Sequence, residues 1–340
     1  MKKILVLPVI FLFAASIFAQ TSNNLFSAGY EQLRITDESR KRQVHLDIWY
    51  PSMGEEKENN YGISKGIVVK GASISGNKLP VILLSHGAMG AASNYSWLAE
   101  YLSRHGYVVL GVSHFGESPV FGFDSIDPTS VSRFGDRTKD LNFALEFLLE
   151  KSKYAVNLDA NKIGAIGHSS GGSSVLMLAG VAFSFKNMAD YCGKTEAAND
   201  KGCSYPRSPE SDAQRTLPIR SGRSIKTLVA LDPAVGPGFT KESLKSVKIP
   251  TLIIGSVKND FLPYSSHAGY ISSFIKKSEI IKLDSGEGHF VYLDKCNLPI
   301  KALGVPICTD AEGVDRVAIH TKLASKIEQF LNKTLSVKKK

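Results

Sequence analysis

The sequence predicts an α/β fold: a mostly parallel central sheet with helices on both faces and an antiparallel hairpin at its N-terminal end. From Pro80 onward, short apolar runs typical of buried parallel strands alternate with segments of helical periodicity. Before that point, residues 30–36 and 43–50 alternate polar and apolar residues around a charged turn at 37–42, which is typical of a hairpin. The 340 residues, of which 43% are hydrophobic, suffice for one large α/β domain.

The elements that follow the hairpin are short and regularly spaced, with no internal repeat and no long linker. We therefore predict a single domain over residues 20–340. The polar stretch 51–60 is predicted to be a loop. The predicted strands cover residues 80–85, 107–112, 162–167, 225–231, 249–254 and 279–283. The predicted helices cover residues 93–105, 136–151, 172–179, 264–275 and 314–331.

The N-terminal segment, residues 1–19, has the pattern of a signal peptide. A basic start precedes an apolar run at 4–18, and Ala19-Gln20 is a suitable cleavage point. The run is short for a transmembrane helix. The sequence therefore predicts a secreted or periplasmic protein, with a retained N-terminal anchor as the alternative.

The four cysteines fit an oxidising compartment. They form two local pairs, Cys192 with Cys203 and Cys296 with Cys308, and each pair brackets a short segment with loop-like composition. Four cysteines allow three connectivities, and the local pairing is favoured. A zinc site is the rival interpretation, but neither pair has the Cys-x-x-Cys spacing typical of one.

The net charge of +9 falls to +7 without Lys2 and Lys3 of the predicted leader. No basic run is interleaved with aromatic residues, so we expect no nucleic-acid binding. Part of the surplus lies at residues 338–340. It indicates either peripheral contact with an anionic membrane surface or simply good solubility.

The segment Gly167-His168-Ser169-Ser170-Gly171 carries the chemistry. It follows a predicted strand and precedes a predicted helix, which is the setting of a nucleophile elbow. The turn is so tight that only small residues fit beside the serine. The helix N-terminus beside it favours a developing negative charge. We predict that Ser169 is a nucleophile, the alternative being an idle serine in a glycine-rich turn.

A serine nucleophile needs a base, and the base needs an orienting carboxylate. In this architecture the chain order is serine, acid, histidine. His289 follows the last predicted strand and is the predicted base, ahead of His267 and His320 on predicted helices. Asp260, after the strand at 249–254, is the predicted acid, with Asp232 at the end of the preceding strand as the alternative.

An oxyanion hole needs two backbone N–H groups. Ser170 is predicted to supply one, and Ala88, in the loop after the strand at 80–85, the other, with Gly87 as the alternative. The histidines His86 and His168 are interpreted as structural. Apolar residues that could line an acyl pocket, or simply belong to the core, are Met89, Phe115 and Phe261.

The long polar segment 182–223 interrupts the alternation of strands and helices and contains the first cysteine pair. A segment of this length without predicted structure is usually functional. It follows the helix after Ser169, so it could overhang the site, or it could be a disulfide-tied surface loop.

The runs LPVILLSHG (79–87), GYVV (106–109) and IGAIGHSSGG (163–172) resemble the α/β-hydrolase superfamily. Within it they are similar to the dienelactone-hydrolase-like group, which includes platelet-activating-factor acetylhydrolases and polyester-cleaving cutinases. The resemblance runs from about Tyr30 to the last helix and implies the α/β-hydrolase fold. Cutinase-like relatives place the acid in a segment that matches Asn259-Asp260, whereas acetylhydrolase-like relatives place it in one that matches Leu231-Asp232. True dienelactone hydrolases use a cysteine nucleophile, so Ser169 favours ordinary esters.

These observations predict a serine carboxylic-ester hydrolase that needs no cofactor and no metal. Its predicted substrates are small-molecule or lipid esters: short-chain acyl esters, or short-chain or oxidised phospholipids. A non-catalytic binding protein with this fold is one alternative. An acyltransferase or peptidase that uses the same triad is another, because water competes with other acceptors for an acyl-enzyme.

Overall fold

A computed structural model describes residues 26–206, 216–217 and 223–337. The predicted leader at 1–19 and the basic tail at 338–340 lie outside the described residues. The strands are β1 (Ser27–Asp37), β2 (Arg42–Ser52), β3 (Lys57–Asn60), β4 (Lys65–Lys70), β5 (Leu79–Ser85), β6 (Val108–His114), β7 (Leu158–His168), β8 (Phe183–Ser184), β9 (Thr216–Leu217), β10 (Thr227–Leu231), β11 (Thr251–Ser256), β12 (Ser278–Leu283), β13 (Lys301–Ala302) and β14 (Val305–Pro306). The α-helices are α1 (Ser96–Arg104), α2 (Phe134–Glu150), α3 (Ser170–Leu178), α4 (Phe185–Cys192), α5 (Lys241–Ser246), α6 (Ala268–Phe274) and α7 (Arg316–Thr334).

Ten of the described strands form one sheet in the order β12-β11-β10-β7-β5-β6-β2-β1-β4-β3. The strands from β12 to β6 are parallel to their neighbours. The predicted hairpin is present as the antiparallel pair β1 and β2, and β2 continues the sheet antiparallel to β6. The predicted α/β fold class is therefore confirmed.

The expected loop at 51–60 is wrong in part. Residues Lys57–Asn60 form β3, which pairs with β4, and β4 joins β1. Both strands lie at the exposed edge of the sheet, and Asn59 is the buried residue of β3. A strand with so little buried surface has no hydrophobic alternation, so its pairing partners, rather than its own pattern, determine it.

The core lies on both faces of the sheet. In β5, Val81 and Leu83 belong to the apolar cluster that includes α2 and α3, whereas Ile82 and Leu84 belong to the cluster that includes α1 and α7. This alternation follows from the two-residue period of a strand. Because both faces of the sheet are covered, the sequence of β5 is a continuous apolar run. The carboxyl ends of β5 and β7 lie side by side at one edge of the sheet.

Both predicted disulfides are confirmed. Cys192 is bonded to Cys203, which encloses the end of α4 and the turns after it. Cys296 is bonded to Cys308 and brackets the small hairpin of β13 and β14. Within the described residues, no helix combines the length and apolar character needed to cross a bilayer.

A buried ion pair fixes the loop that follows β5. Arg137 of α2 is fully buried, and its guanidinium donates to Glu117 at 2.6 and 2.8 Å. The same side chain donates to the carbonyl of His86 at 2.8 Å. The pair was not predicted from the sequence, although Arg137 lies one helical turn before Leu141 and so falls on the apolar stripe of α2. Through these hydrogen bonds, Arg137 holds α2 against the loop that follows β5.

We expect the substitution Arg137→Met to lower the free energy of unfolding by about 3–5 kcal/mol, because it leaves the buried Glu117 carboxylate unpaired. Urea denaturation with both disulfides intact measures the loss. The matched control is Lys186→Met, which removes an ion pair with Asp190 whose two side chains are 64% and 57% exposed. The control should change stability by no more than about 1 kcal/mol. An equally small loss for Arg137→Met would show that the buried pair does not support the fold.

Candidate active site

The turn between β7 and α3 holds Ser169 in a strained conformation. Its φ of 55° and ψ of −122° are unusual for a residue with a side chain. A Cβ on Gly167 would lie 2.1 Å from the carbonyl oxygen of Gly171, and a Cβ on Gly171 would lie 2.0 Å from that of Ser85. The flanking glycines are therefore required by close backbone packing, as the sequence predicted.

The backbone of Ser169 is held by the next strand of the sheet. Its N–H donates to the carbonyl of Leu231 at 3.0 Å, and its carbonyl accepts from the N–H of Ala234 at 3.1 Å. Ser169 itself is 6% exposed. The nucleophile predicted from sequence thus lies at the carboxyl edge of the sheet, against the loop that follows β10.

His289 lies beside this turn and is hydrogen-bonded to Asp232. Nδ1 of His289 and Oδ2 of Asp232 are 2.8 Å apart, and both side chains are buried. Asp232 also accepts from the backbone N–H of Ser256 at 3.2 Å and from the side-chain amide of Asn259. These donors hold the carboxylate in one orientation toward the imidazole.

The structure does not place Asp260 as the sequence analysis expected. Its Oδ1 accepts from the backbone N–H of His289 at 2.8 Å, and the residue is exposed. The reason is the strand order: Asp232 ends β10, which pairs directly with β7 and sets Leu231 opposite His168. Asp260 follows β11, one strand further from Ser169. The carboxylate that meets the imidazole is therefore the one expected as the alternative.

The environment of His289 favours the neutral imidazole. Burial lowers the pKa of His289 to about 3. Burial also raises the pKa of the Asp232 carboxyl, and the hydrogen bonds from Ser256 and Asn259 act in the opposite direction. The ring of Phe261 stacks on the imidazole with centroids 5.1 Å apart. Nε2 of His289 is buried and has no hydrogen-bond partner among the described residues, so it can accept a proton.

The loop after β5 approaches Ser169 from the other side. A Cβ on Gly87 would lie 3.3 Å from the Cβ of Ser169. The next residue, Ala88, donates no backbone hydrogen bond to any described residue. Ser170 begins α3, where the first N–H groups have no partner within the helix. Both N–H groups predicted for an oxyanion hole thus border the nucleophile.

A chain of buried hydrogen bonds joins the three loops around Ser169. Nε2 of His168 donates to the carbonyl of His289 at 3.0 Å, so Nδ1 is the acceptor for the hydroxyl of Tyr95 at 2.8 Å. The Tyr95 oxygen accepts from the N–H of Gly87 at 3.0 Å. The structural interpretation of His168 fits these contacts, whereas the role of Tyr95 had no sequence signal beyond its place before α1.

The remaining candidate histidines lie elsewhere. His267 is buried and pairs with Asp200 at 2.7 Å, and His320 donates to the carbonyl of Val291 at 2.7 Å. His86 donates through Nδ1 to the carbonyl of Gly87 at 2.6 Å, which shapes the loop after β5. Within the described part of the chain, none of the three lines either cavity at Ser169.

Two apolar cavities meet at Ser169. One has a volume of about 60 Å³ and is lined by Ser170 and by residues of the 182–223 segment. The other is a cleft of about 700 Å³ lined by Ala88 and His289. Of the three residues expected at an acyl pocket, Met89 lines the cleft and Phe261 lines both cavities, whereas Phe115 lines neither and packs against Phe121.

The chain is similar in sequence and in fold to several known hydrolases. Residues 40–189 match the family model described as chlorophyllase. The chain is 24% identical to cutinase est1 of Thermobifida alba over 194 residues, which are 56% of this chain and 46% of the cutinase. It is 23% identical to cutinase 2 of Thermobifida cellulosilytica over 234 residues, 67% of this chain and 65% of that one. A ferulic acid esterase from Streptomyces cinnamoneus superposes with a TM-score of 0.60 at 17% identity, covering 94% of this chain and 93% of the esterase.

The structural match confirms the α/β-hydrolase fold over nearly the whole chain. The family model matches less than half of the chain, and the chain spans about half to two thirds of the length of these cutinases.

We expect the reactivity of Ser169 to persist well below pH 6.5. A fluorophosphonate reacts with a serine only when the neighbouring histidine can accept its proton, and burial lowers the pKa of His289, so the imidazole stays neutral as the pH falls. The measurement is the rate of fluorophosphonate labelling between pH 4 and pH 9, with circular dichroism at each pH to monitor folding. Ser169→Ala is the unlabelled control. An acid limb centred at pH 6.5 or above, in folded protein, would contradict the lowered pKa.

Proposed function

We propose that this chain, which belongs to the α/β-hydrolase superfamily, is a secreted serine carboxylic-ester hydrolase that works through an acyl-enzyme. The observation that carries the proposal is the buried hydrogen bond between Asp232 and His289 beside the strained turn of Ser169. A nucleophile, a neutral base and an orienting carboxylate are the three parts that acyl transfer requires.

In the first half of the reaction, Oγ of Ser169 attacks the ester carbonyl carbon and its proton passes to Nε2 of His289. The carbonyl oxygen becomes an oxyanion, which the N–H groups of Ala88 and Ser170 stabilise. When the tetrahedral intermediate collapses, its bond to the alcohol oxygen breaks. His289 returns the proton to that oxygen, and the alcohol leaves.

In the second half, a water molecule attacks the acyl-enzyme and gives its proton to His289. The new tetrahedral intermediate releases the carboxylic acid, and Ser169 regains its proton. Asp232 accepts the hydrogen bond from Nδ1 of His289, fixes the orientation of the ring and stabilises the imidazolium that forms in each half. No metal or organic cofactor takes part in these steps.

Short-chain acyl esters, including short-chain or oxidised phospholipids, are the proposed substrates. The apolar lining of the cavities at Ser169 supports this class. The relatives carry the names of cutinases and an esterase, which favours ester hydrolysis over peptide hydrolysis or acyl transfer. The two disulfides and the leader-like segment at 1–19 support secretion.

We expect the purified protein to hydrolyse p-nitrophenyl esters and the Ser169→Ala variant to lose this activity by about 10³-fold or more, because no nucleophile remains. The release of p-nitrophenolate, followed by its absorbance, measures the rate. Folding of the variant is checked by its thermal transition. Folded wild-type protein that neither hydrolyses any ester nor reacts with a fluorophosphonate would overturn the enzyme and favour a binding protein.

We expect substitution of Asp232 to lower kcat far more than substitution of Asp260. Asp232→Asn removes the carboxylate that orients His289 and should lower kcat by roughly 10⁴-fold. Asp260→Asn keeps an oxygen that can accept from the His289 N–H and should cost less than about tenfold. Both kcat values are measured on one p-nitrophenyl ester. The reverse order would identify Asp260 as the acid.

A further inference from the structure

We infer that the small cavity under the Cys192–Cys203 segment binds the acyl group of the ester, whereas the large cleft binds the alcohol. This inference rests on the proposed esterase function. It implies that residues 185–203, which border this cavity, set the length of the acyl chain that Ser169 accepts.

The orientation follows from the place of the general acid. The alcohol oxygen must receive its proton from Nε2 of His289, so the alcohol has to lie on the side of Ser169 where His289 lies. His289 lines the large cleft and is absent from the described residues that line the small cavity. The acyl substituent, on the other side of the carbonyl carbon, then points into the small cavity.

The wall of the small cavity comes largely from the segment that follows α3. Phe185 and Met188 of α4 line it, together with the two bonded cysteines. Met188 is 8% exposed and belongs to the main apolar core. The disulfide therefore stabilises one wall of the cavity, and the segment that it closes is not a loop remote from the site.

This wall is anchored to the body of the protein at its far end. The carboxylate of Asp200 pairs with Nε2 of His267 at 2.7 Å, and both side chains are buried. The N–H of Lys201 donates to the carbonyl of Phe261 at 2.9 Å. Since the ring of Phe261 stacks on His289, these contacts fix the position of the wall relative to the histidine.

The volume of the cavity limits the acyl group. One water occupies about 30 Å³ in the liquid, so a cavity of about 60 Å³ holds only a few heavy atoms. We expect the best acyl chains to be short, about two to four carbons, and longer chains to be excluded by the wall.

The cleft, in contrast, is large and has an apolar rim. Its volume of about 700 Å³ is more than ten times that of the small cavity. Phe123, Ile300 and Leu303 line it and are 83%, 37% and 42% exposed. The second disulfide, Cys296–Cys308, brackets this rim. The substrate class is therefore a short-chain acyl ester of a bulky, apolar alcohol.

The test varies the two halves of the ester separately. One series keeps p-nitrophenol and lengthens the acyl chain from C2 to C12. The other keeps a butyryl group and changes the alcohol from ethanol to hexanol and naphthol, with acid release followed by titration. The wild type should prefer acyl chains of about two to four carbons and should favour hexanol over ethanol as the alcohol.

Met188→Ala removes three heavy atoms from the cavity wall. It should raise kcat/KM for the octanoyl ester relative to the butyryl ester by about tenfold, since roughly two more methylenes can be buried. The alcohol preference should stay as in the wild type. Phe185→Ala tests the same wall if Met188→Ala does not fold.

Phe123→Ala is the matched variant on the cleft side. It should weaken the preference for hexanol over ethanol and leave the ratio of octanoyl to butyryl hydrolysis unchanged. An active enzyme in which Met188→Ala changes the alcohol series, or leaves the acyl profile as it was, would overturn the assignment of the cavities. Absence of hydrolysis of every ester by folded wild type would instead overturn the esterase itself.

Discussion

The close packing of Gly171 against the carbonyl of Ser85 is the contact on which the site depends. No side chain fits there, because a Cβ would lie 2.0 Å from the oxygen. This approach brings the start of α3 and the loop after β5 to the same point, so that the N–H groups of Ser170 and Ala88 border one space. It also forces the strained backbone of Ser169, which the hydrogen bonds to Leu231 and Ala234 maintain.

Burial gives the surrounding polar groups their properties. His168 and Tyr95 are buried and are hydrogen-bonded to each other. Tyr95 also accepts from the N–H of Gly87 and His168 donates to the carbonyl of His289, so the two side chains link the loops that carry Gly87 and His289. The same low-dielectric surroundings lower the pKa of His289, so the site holds a free base rather than an imidazolium. Stability and reactivity thus have one cause, the dense packing at the carboxyl edge of the sheet.

The two disulfide-tied segments border different cavities at Ser169. Cys192–Cys203 encloses a small apolar cavity, and Cys296–Cys308 brackets the rim of a large cleft. Neither segment has long regular structure, so the covalent bonds and a few buried contacts, such as Asp200 with His267, supply the rigidity that a sheet would otherwise give. The proposed substrate selectivity therefore resides in the parts of the chain with the least secondary structure.

The sequence by itself determined what depends on neighbours along the chain: the hairpin β1–β2, the glycine-flanked turn at Ser169, the succession of the parallel strands β5, β6, β7, β10, β11 and β12, and the local cysteine pairs. Tertiary structure decided what depends on which strands are adjacent. Asp232 rather than Asp260 meets His289 because β10 pairs with β7, and Arg137 reaches Glu117 because α2 covers the end of β5. Local sequence patterns depend on short-range sterics and on periodicity. They do not distinguish Asp232 after β10 from Asp260 after β11, because that choice depends on the order of the strands in the sheet.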